Sequence, residues 1–260
     1  KTPLTGGVSS HIDTEQFWAA IMTLASDSSS NLDIARHLFQ LCLVPACLSD
    51  RLTEDLAAWI AVAEIGLDST YPKFYDEMKL RMRPLQEQWE AYGPGLLHQT
   101  QRFLHLDHTV DSAEVFLVPP AAGGMGRVHL NTNRCHIEAL LTNVASDLPE
   151  ALRLAWLLTQ LGIYQSAEYQ DARAEPTAKA VGLAALPATL MAGEQLGICI
   201  FNVHSIRHAV ELWGLESKGP KSEVLSDNLL NWWQNSSEEK IEWSAAAEEL
   251  RWIAGADQRI

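Results

Sequence analysis

The run Val203-His-Ser-Ile-Arg-His-Ala-Val-Glu211 sets His204 and His208 four residues apart, with Glu211 three residues further on. On a helix these positions share one face, so two imidazoles and a carboxylate can converge on one divalent ion. The same spacing also occurs in ordinary exposed helical pairs, where it holds nothing. Glu194 is the lone carboxylate of Leu190-Met-Ala-Gly-Glu-Gln-Leu-Gly197. Burying an unpaired carboxylate is costly, so this apolar setting predicts a partner for it: an Arg, a His or a helix N-terminus. Glu194 with His204, His208 or Glu211 would make a buried polar pocket for an enzyme or a metal-binding protein. His105-Leu-Asp-His108 reads as a polar turn, able to add ligands only if folding brings it close.

Other patterns are weaker. Gly123-Gly-Met-Gly-Arg127 lacks the Gly-x4-Gly-Lys-Ser/Thr spacing of a phosphate loop, and strands are predicted on both sides of it. It reads as a hairpin loop in which Arg127 could meet an anion. No Gly-x-Ser-x-Gly elbow is present. Cys135 and His136 are adjacent in sequence, which does not orient a nucleophile and its base. Cys42 and Cys47 have the wrong spacing for a zinc knuckle, and no second pair completes one. The four cysteines are expected as buried free thiols.

The elements that would position these groups are mostly helices. Asp13-Thr-Glu-Gln16 has the form of a capping box, and Asp27-Ser-Ser-Ser-Asn31 that of a turn. Helices are expected over 32–43 and from Ser49 to about Gly66. Another starts near Pro72 with the stripe Phe74, Met78, Met82, interrupted or kinked at Pro84. Gly93-Pro-Gly95 predicts a break, followed by a helix to Leu104. Glu114–Val118 and Arg127–Leu130 read as two strands, side by side or as a hairpin. Helices are expected again over 134–145 and 149–161. Residues 178–203 are the most apolar stretch, best explained as a helix buried inside a helical domain. Leu215–Ser222 reads as a linker, with helices over 223–234 and 238–254 beyond it, the second opened by a capping box at Ser236–Glu239. Trp232, Trp233, Trp243 and Trp252 crowd this tail and are expected to dock it on the main body.

The order of elements carries a resemblance. Two short strands precede Leu154-Ala-Trp-Leu-Leu-Thr-Gln-Leu-Gly162, and a later apolar helix carries Glu194. Residues 113–197, about a third of the 260, resemble the core of a zincin-type metallopeptidase of the gluzincin branch. In that family a strand edge borders the substrate cleft, and the next helix carries His-Glu-x-x-His. The two histidines hold zinc, the glutamate polarises its water, and a glutamate on a following helix is the third ligand. The resemblance implies that Trp156, Leu157 and Gln160 stand at the ligand, base and ligand positions, with Glu194 opposite them. Tryptophan, leucine and glutamine supply neither imidazole nor base, so it implies a scaffold without peptidase chemistry.

Composition bounds the rest. With 47% apolar and 20% charged residues, the chain has the make-up of a globular protein with a substantial core. Its net charge of −14 disfavours a nucleic-acid backbone or an anionic membrane as partner, and suits solubility or a basic protein partner. Lys1 to Ser10 has no apolar run of the signal-peptide kind, so a cytoplasmic setting is the default expectation. The expected fold is α+β, predominantly helical, with a small mid-chain sheet packed among helices around a zincin-like core. The expected organisation is a main domain, 1–214, and a C-terminal helical extension, 215–260, packed on it. The leading functional expectation is a non-catalytic pseudo-peptidase that binds protein partners and needs no cofactor. A plain helical interaction module and the Glu194–histidine enzyme are the alternatives.

Overall fold

A computed structural model describes residues 21, 24, 30–41, 46–107, 110–120, 123–166, 178–236, 241 and 243–253. The expected capping boxes at Asp13–Gln16 and Ser236–Glu239 lie wholly or mostly outside these residues, as do Cys42 and His108. The chain divides into two compact units, Lys1–Phe74 and Tyr75–Ile260.

In the first unit, helices α1 (Asn31–Leu41) and α2 (Ala46–Thr70) pack together. Ile34, Ala35 and Leu38 of α1 are buried, the i, i+1, i+4 set of one helical face. The Asn31 amide donates to Glu64 Oε2 at 2.8 Å and ties the start of α1 to the last third of α2. Helix α2 runs four residues past the expected end at Gly66.

Helix α3 (Phe74–Leu104) enters the second unit at Tyr75; it is continuous through Pro84, where the helix is not interrupted, and overrides the break expected at Gly93-Pro-Gly95. Each proline removes one hydrogen bond of the helical ladder, but packing holds the helix across the gap. At Gly93 the reason for glycine is steric: a Cβ there would lie 2.4 Å from Cδ2 of Trp89. The indole lies over the backbone one turn on, and only glycine leaves it room.

The sheet has three strands, β1 (Glu114–Val118), β2 (Gly126–His129) and β3 (Arg134–Glu138), in the order β1-β3-β2. Residues 134–145 were expected to be helical; instead the first five form the central strand. Cys135 and Ile137 are fully buried and alternate with Arg134 and His136, a two-residue period that fits a strand better than a helix. β1 runs parallel to β3, Glu114 opposite Arg134 and Val118 opposite Glu138. β2 runs antiparallel, Gly126 opposite Ile137 and His129 opposite Arg134. The two expected strands are thus both edges, separated by the one that was missed. A 3-10 turn, Leu130–Thr132, joins β2 to β3, with Asn133 in the left-handed region at φ 55°.

Helix α4 (Glu150–Gln165) lies on the sheet against β2 and β3. Helix α5 (Ala178–Gln195) packs on α4 and also meets α6 (Val203–Leu212), α7 (Pro220–Ser236) and α8 (Trp243–Ile253). This central place explains why α5 is apolar all round: Val181, Leu183, Ala184, Ala185, Leu186, Ala188 and Leu190 are all buried. No helix among the described residues is long and apolar enough to cross a membrane. The 214/215 boundary falls inside the second unit, and α7 and α8 beyond it bury Leu225, Leu229, Trp232, Trp233 and Leu250 in the common core.

Candidate functional site

Helix α4 starts at Pro149 and Glu150 and is buried on every side through Ile163. Trp156, Leu157 and Gln160 therefore sit in the interior, 3%, 0% and 3% exposed. The Trp156 indole N–H donates to the carbonyl of Gly182 on α5 at 2.8 Å, and its ring stacks on Trp213 with centroids 5.0 Å apart. The Gln160 amide donates to the Trp156 carbonyl at 3.3 Å. Gly182 is where α5 makes room for this pair: a Cβ there would lie 3.2 Å from Trp156 and 3.3 Å from Gln160. Leu157 points the other way, toward the sheet, where a Cβ on Gly126 of β2 would lie 2.7 Å from it. Trp156, Leu157 and Gln160 are thus packed against α5, Trp213 and the sheet, away from solvent.

Glu194 does not stand opposite these residues. It is twelve positions beyond Gly182 on the same helix, about 18 Å along the axis at 1.5 Å per residue. Its neighbour Gly193 faces Leu152, the first turn of α4, which shows α4 and α5 running antiparallel. Glu194 is exposed, and its Oε1 accepts the backbone N–H of Phe201 at 2.9 Å. The expectation of a buried carboxylate fails because Glu194 lies in the last turn of α5, where the chain leaves the core through Gly197, left-handed at φ 71°. Water meets its charge, and the hydrogen bond pins the connection to α6.

A buried charge cluster does exist, and sequence reasoning missed it. Arg153 of α4 is 2% exposed and pairs with Glu150. It also donates to the carbonyls of Met125 at 3.0 Å and Glu138 at 2.8 Å. Glu138 Oε2 in turn accepts the backbone N–H groups of Gly124 at 2.6 Å and Met125 at 3.1 Å. The glycine loop is therefore an anion-binding nest whose anion is the protein's own carboxylate. Gly123 and Gly124 make this possible, with φ of 84° and 126°. Burial pushes the Glu150 carboxyl above its ordinary range, against the pull of Arg153. A charged residue inside Ala-Leu-Arg-Leu-Ala was the visible signal.

His204 and His208 share a face of α6, as their spacing predicts, with ring centroids 6.0 Å apart. Asn202 caps the helix reciprocally with Ser205, which fixes where the two histidines start. Glu211 does not join them as the third group: its Oε1 accepts the Ser222 hydroxyl of α7 at 2.6 Å. Asp147, from the loop between β3 and α4, takes that place. Its Oδ2 lies 3.1 Å from His208 Nδ1, and one ligand atom from each of Asp147, His204 and His208 lies within 4.8 Å of the others. Burial raises the Asp147 carboxyl, but the His208 hydrogen bond and the nearby imidazoles outweigh it and hold the group below its ordinary value. The two histidines border an open cleft of 580 Å³, lined also by Arg207, Lys218 and Glu223. His105 borders a separate one with His98, Gln101 and Arg102.

Cys135 and Cys199 are free thiols; Cys135 is buried as expected but Cys199 only half-buried, and burial pushes each up to about 12, which disfavours the thiolate near neutral pH. An apolar cleft of 410 Å³ runs beside edge strand β1, walled by Val115, Leu117, Trp89, Leu97, Leu154 and Leu158. Fold and site together define a mainly helical protein with a small three-stranded mixed sheet and a sealed central helix pair. Compared with known proteins, the chain matches no family model, no curated sequence and no solved structure.

Proposed function

We propose that this chain is a non-catalytic, zincin-like domain of gluzincin type that works by binding protein partners. The observation that carries the reading is the burial of Trp156, Leu157 and Gln160, with the Trp156 indole hydrogen-bonded to Gly182. The reading takes these as the positions of ligand, base and ligand. None offers an imidazole, a thiolate, a carboxylate or a general base, and all three are buried. The succession of a small sheet, β1 to β3, then α4 and α5 supports the scaffold half of the reading. Partner binding is supported by Trp59, Val62 and Ile65 of α2, exposed at 71%, 67% and 69% and spaced three residues apart. The net charge of −14 favours a basic protein surface over nucleic acid or an anionic membrane.

The test is a peptidase assay on mixed peptide substrates, with added Zn²⁺ and again with chelator. Rates equal to the uncatalysed background in both are expected. Chelator-sensitive hydrolysis would sink the proposal, whether or not it survives substitution of His204 and His208.

A further inference from the structure

Asp147, His204 and His208 combine features that the sealed helix pair lacks: ligand atoms that converge, and access from solvent. We propose that they form a binding site for a divalent transition ion, with Zn²⁺ as its probe. The chemistry is that of a two-histidine, one-carboxylate set, with two neutral imidazoles and one anion around a borderline ion. Ligand atoms about 2.1 Å from a tetrahedral ion lie about 3.4 Å from one another. The 3.1 Å between His208 Nδ1 and Asp147 Oδ2 is already close to that. The His204 atom needs to approach from at most 4.8 Å, a change within reach of its exposed side chain.

The three groups come from parts of the chain that the fold places independently. The i, i+4 histidines are held by the reciprocal Asn202–Ser205 cap of α6. Asp147 is held by its loop, where Ala145 and Leu148 are buried and bridge to each other. The ligand set thus has backbones held by the fold and side chains that reach toward solvent. Open positions on the ion would face the 580 Å³ cleft, leaving room for water or a second ligand. Glu211 and Glu223 in that cleft offset the charges of Arg207 and Lys218, so its electrostatics do not repel a cation.

The experiment is calorimetric titration of the whole chain with Zn²⁺ after chelator treatment. One ion per chain is expected, with affinity falling at least tenfold in His204→Ala and in His208→Ala. Asp147→Asn separates ligation from structure: asparagine keeps a hydrogen bond to His208 but is a poor zinc ligand. It should keep the metal-free melting temperature and lose affinity as the histidine variants do. A double variant of the sheet histidines, His129→Gln with His136→Gln, should bind as the parent does. The proposal fails if the parent takes up no Zn²⁺ at ~100 µM, if His204→Ala with His208→Ala binds like the parent, or if Asp147→Asn is without effect.

Discussion

At the scale of single residues, two buried side chains hold the second unit together, and both make measurable predictions. Arg153 is surrounded by the Glu150 carboxylate and the carbonyls of Met125 and Glu138. Arg153→Met removes the cation and leaves Glu150 buried against Glu138. Breaking a buried pair from one side costs about 3–5 kcal/mol, which urea denaturation would read as a lowered midpoint. Trp156 fills the space between α4 and α5 and stacks on Trp213. Trp156→Ala should cost about 3–5 kcal/mol, whereas Glu194→Gln, at an exposed helix end, should stay within about 1 kcal/mol. Equal losses in the two would contradict the placement of both. Trp156 and Glu194 were both legible as notable residues in the sequence. Their surroundings were not, because a tryptophan in an apolar run and a glutamate in an apolar run give no sign of which one the helix end releases to water.

At the scale of elements, close approaches decide where secondary structure continues. Gly93 lies under the Trp89 ring within α3. Alanine is the better helix former by about 1 kcal/mol, yet Gly93→Ala should destabilise by about 1–3 kcal/mol through overpacking. In a Trp89→Leu background the sign should reverse, a double-mutant cycle that thermal melts can resolve. The outer face of the sheet carries a second prediction. His129 and His136 contact each other at 3.0 Å, and His129 is lowered to about 4 by burial first, then by His136, Arg127 and Arg134. His136 is lowered too, by burial and Arg127. The unfolded chain, with a histidine pKa near 6.5, binds these protons more readily. Stability is therefore full above that value and falls as pH drops toward 4. The melting temperature should decline between about pH 6.5 and 5, and less so in His129→Gln. A parallel decline in parent and variant would assign the effect to carboxylates instead.

At the scale of the whole second unit, one core joins the middle and the end of the chain. Leu225, Leu229, Trp232 and Trp233 of α7 and Leu250 of α8 are buried in the cluster that holds α4 and α5. Removing residues 215–260 would expose α5, whose apolar surface is covered on that side by α7 and α8. Such a truncation should lose cooperative urea unfolding, seen as a broad transition in circular dichroism. A sharp, parent-like transition would mean that the tail is a separable extension. The buried helix pair has the packing of a core, and the convergent imidazoles and carboxylate of His204, His208 and Asp147 face solvent.

Local sequence by itself marks α1, α2, α4, α7 and α8, strand β1, most of β2 and the lack of a His-Glu-x-x-His motif; the stretch expected as one helix over 178–203 ends at Gln195, and α6 begins at Val203. The local marks follow from side-chain period, turn residues and residue identity, all of which act over a few neighbours. Only the tertiary structure decided the rest. It made Arg134–Glu138 the central strand, because two half-covered edges were available to pair with it. It carried α3 through Pro84 and Pro94, since packing outweighs one lost hydrogen bond at each. It turned Glu194 out to solvent, gave Glu211 to Ser222, and brought Asp147 to His204 and His208 across a separation of 57 residues and more. Proximity of that kind arises from how α4, α5 and α6 pack. No local pattern encodes it, and so the histidine spacing was readable while its carboxylate was not.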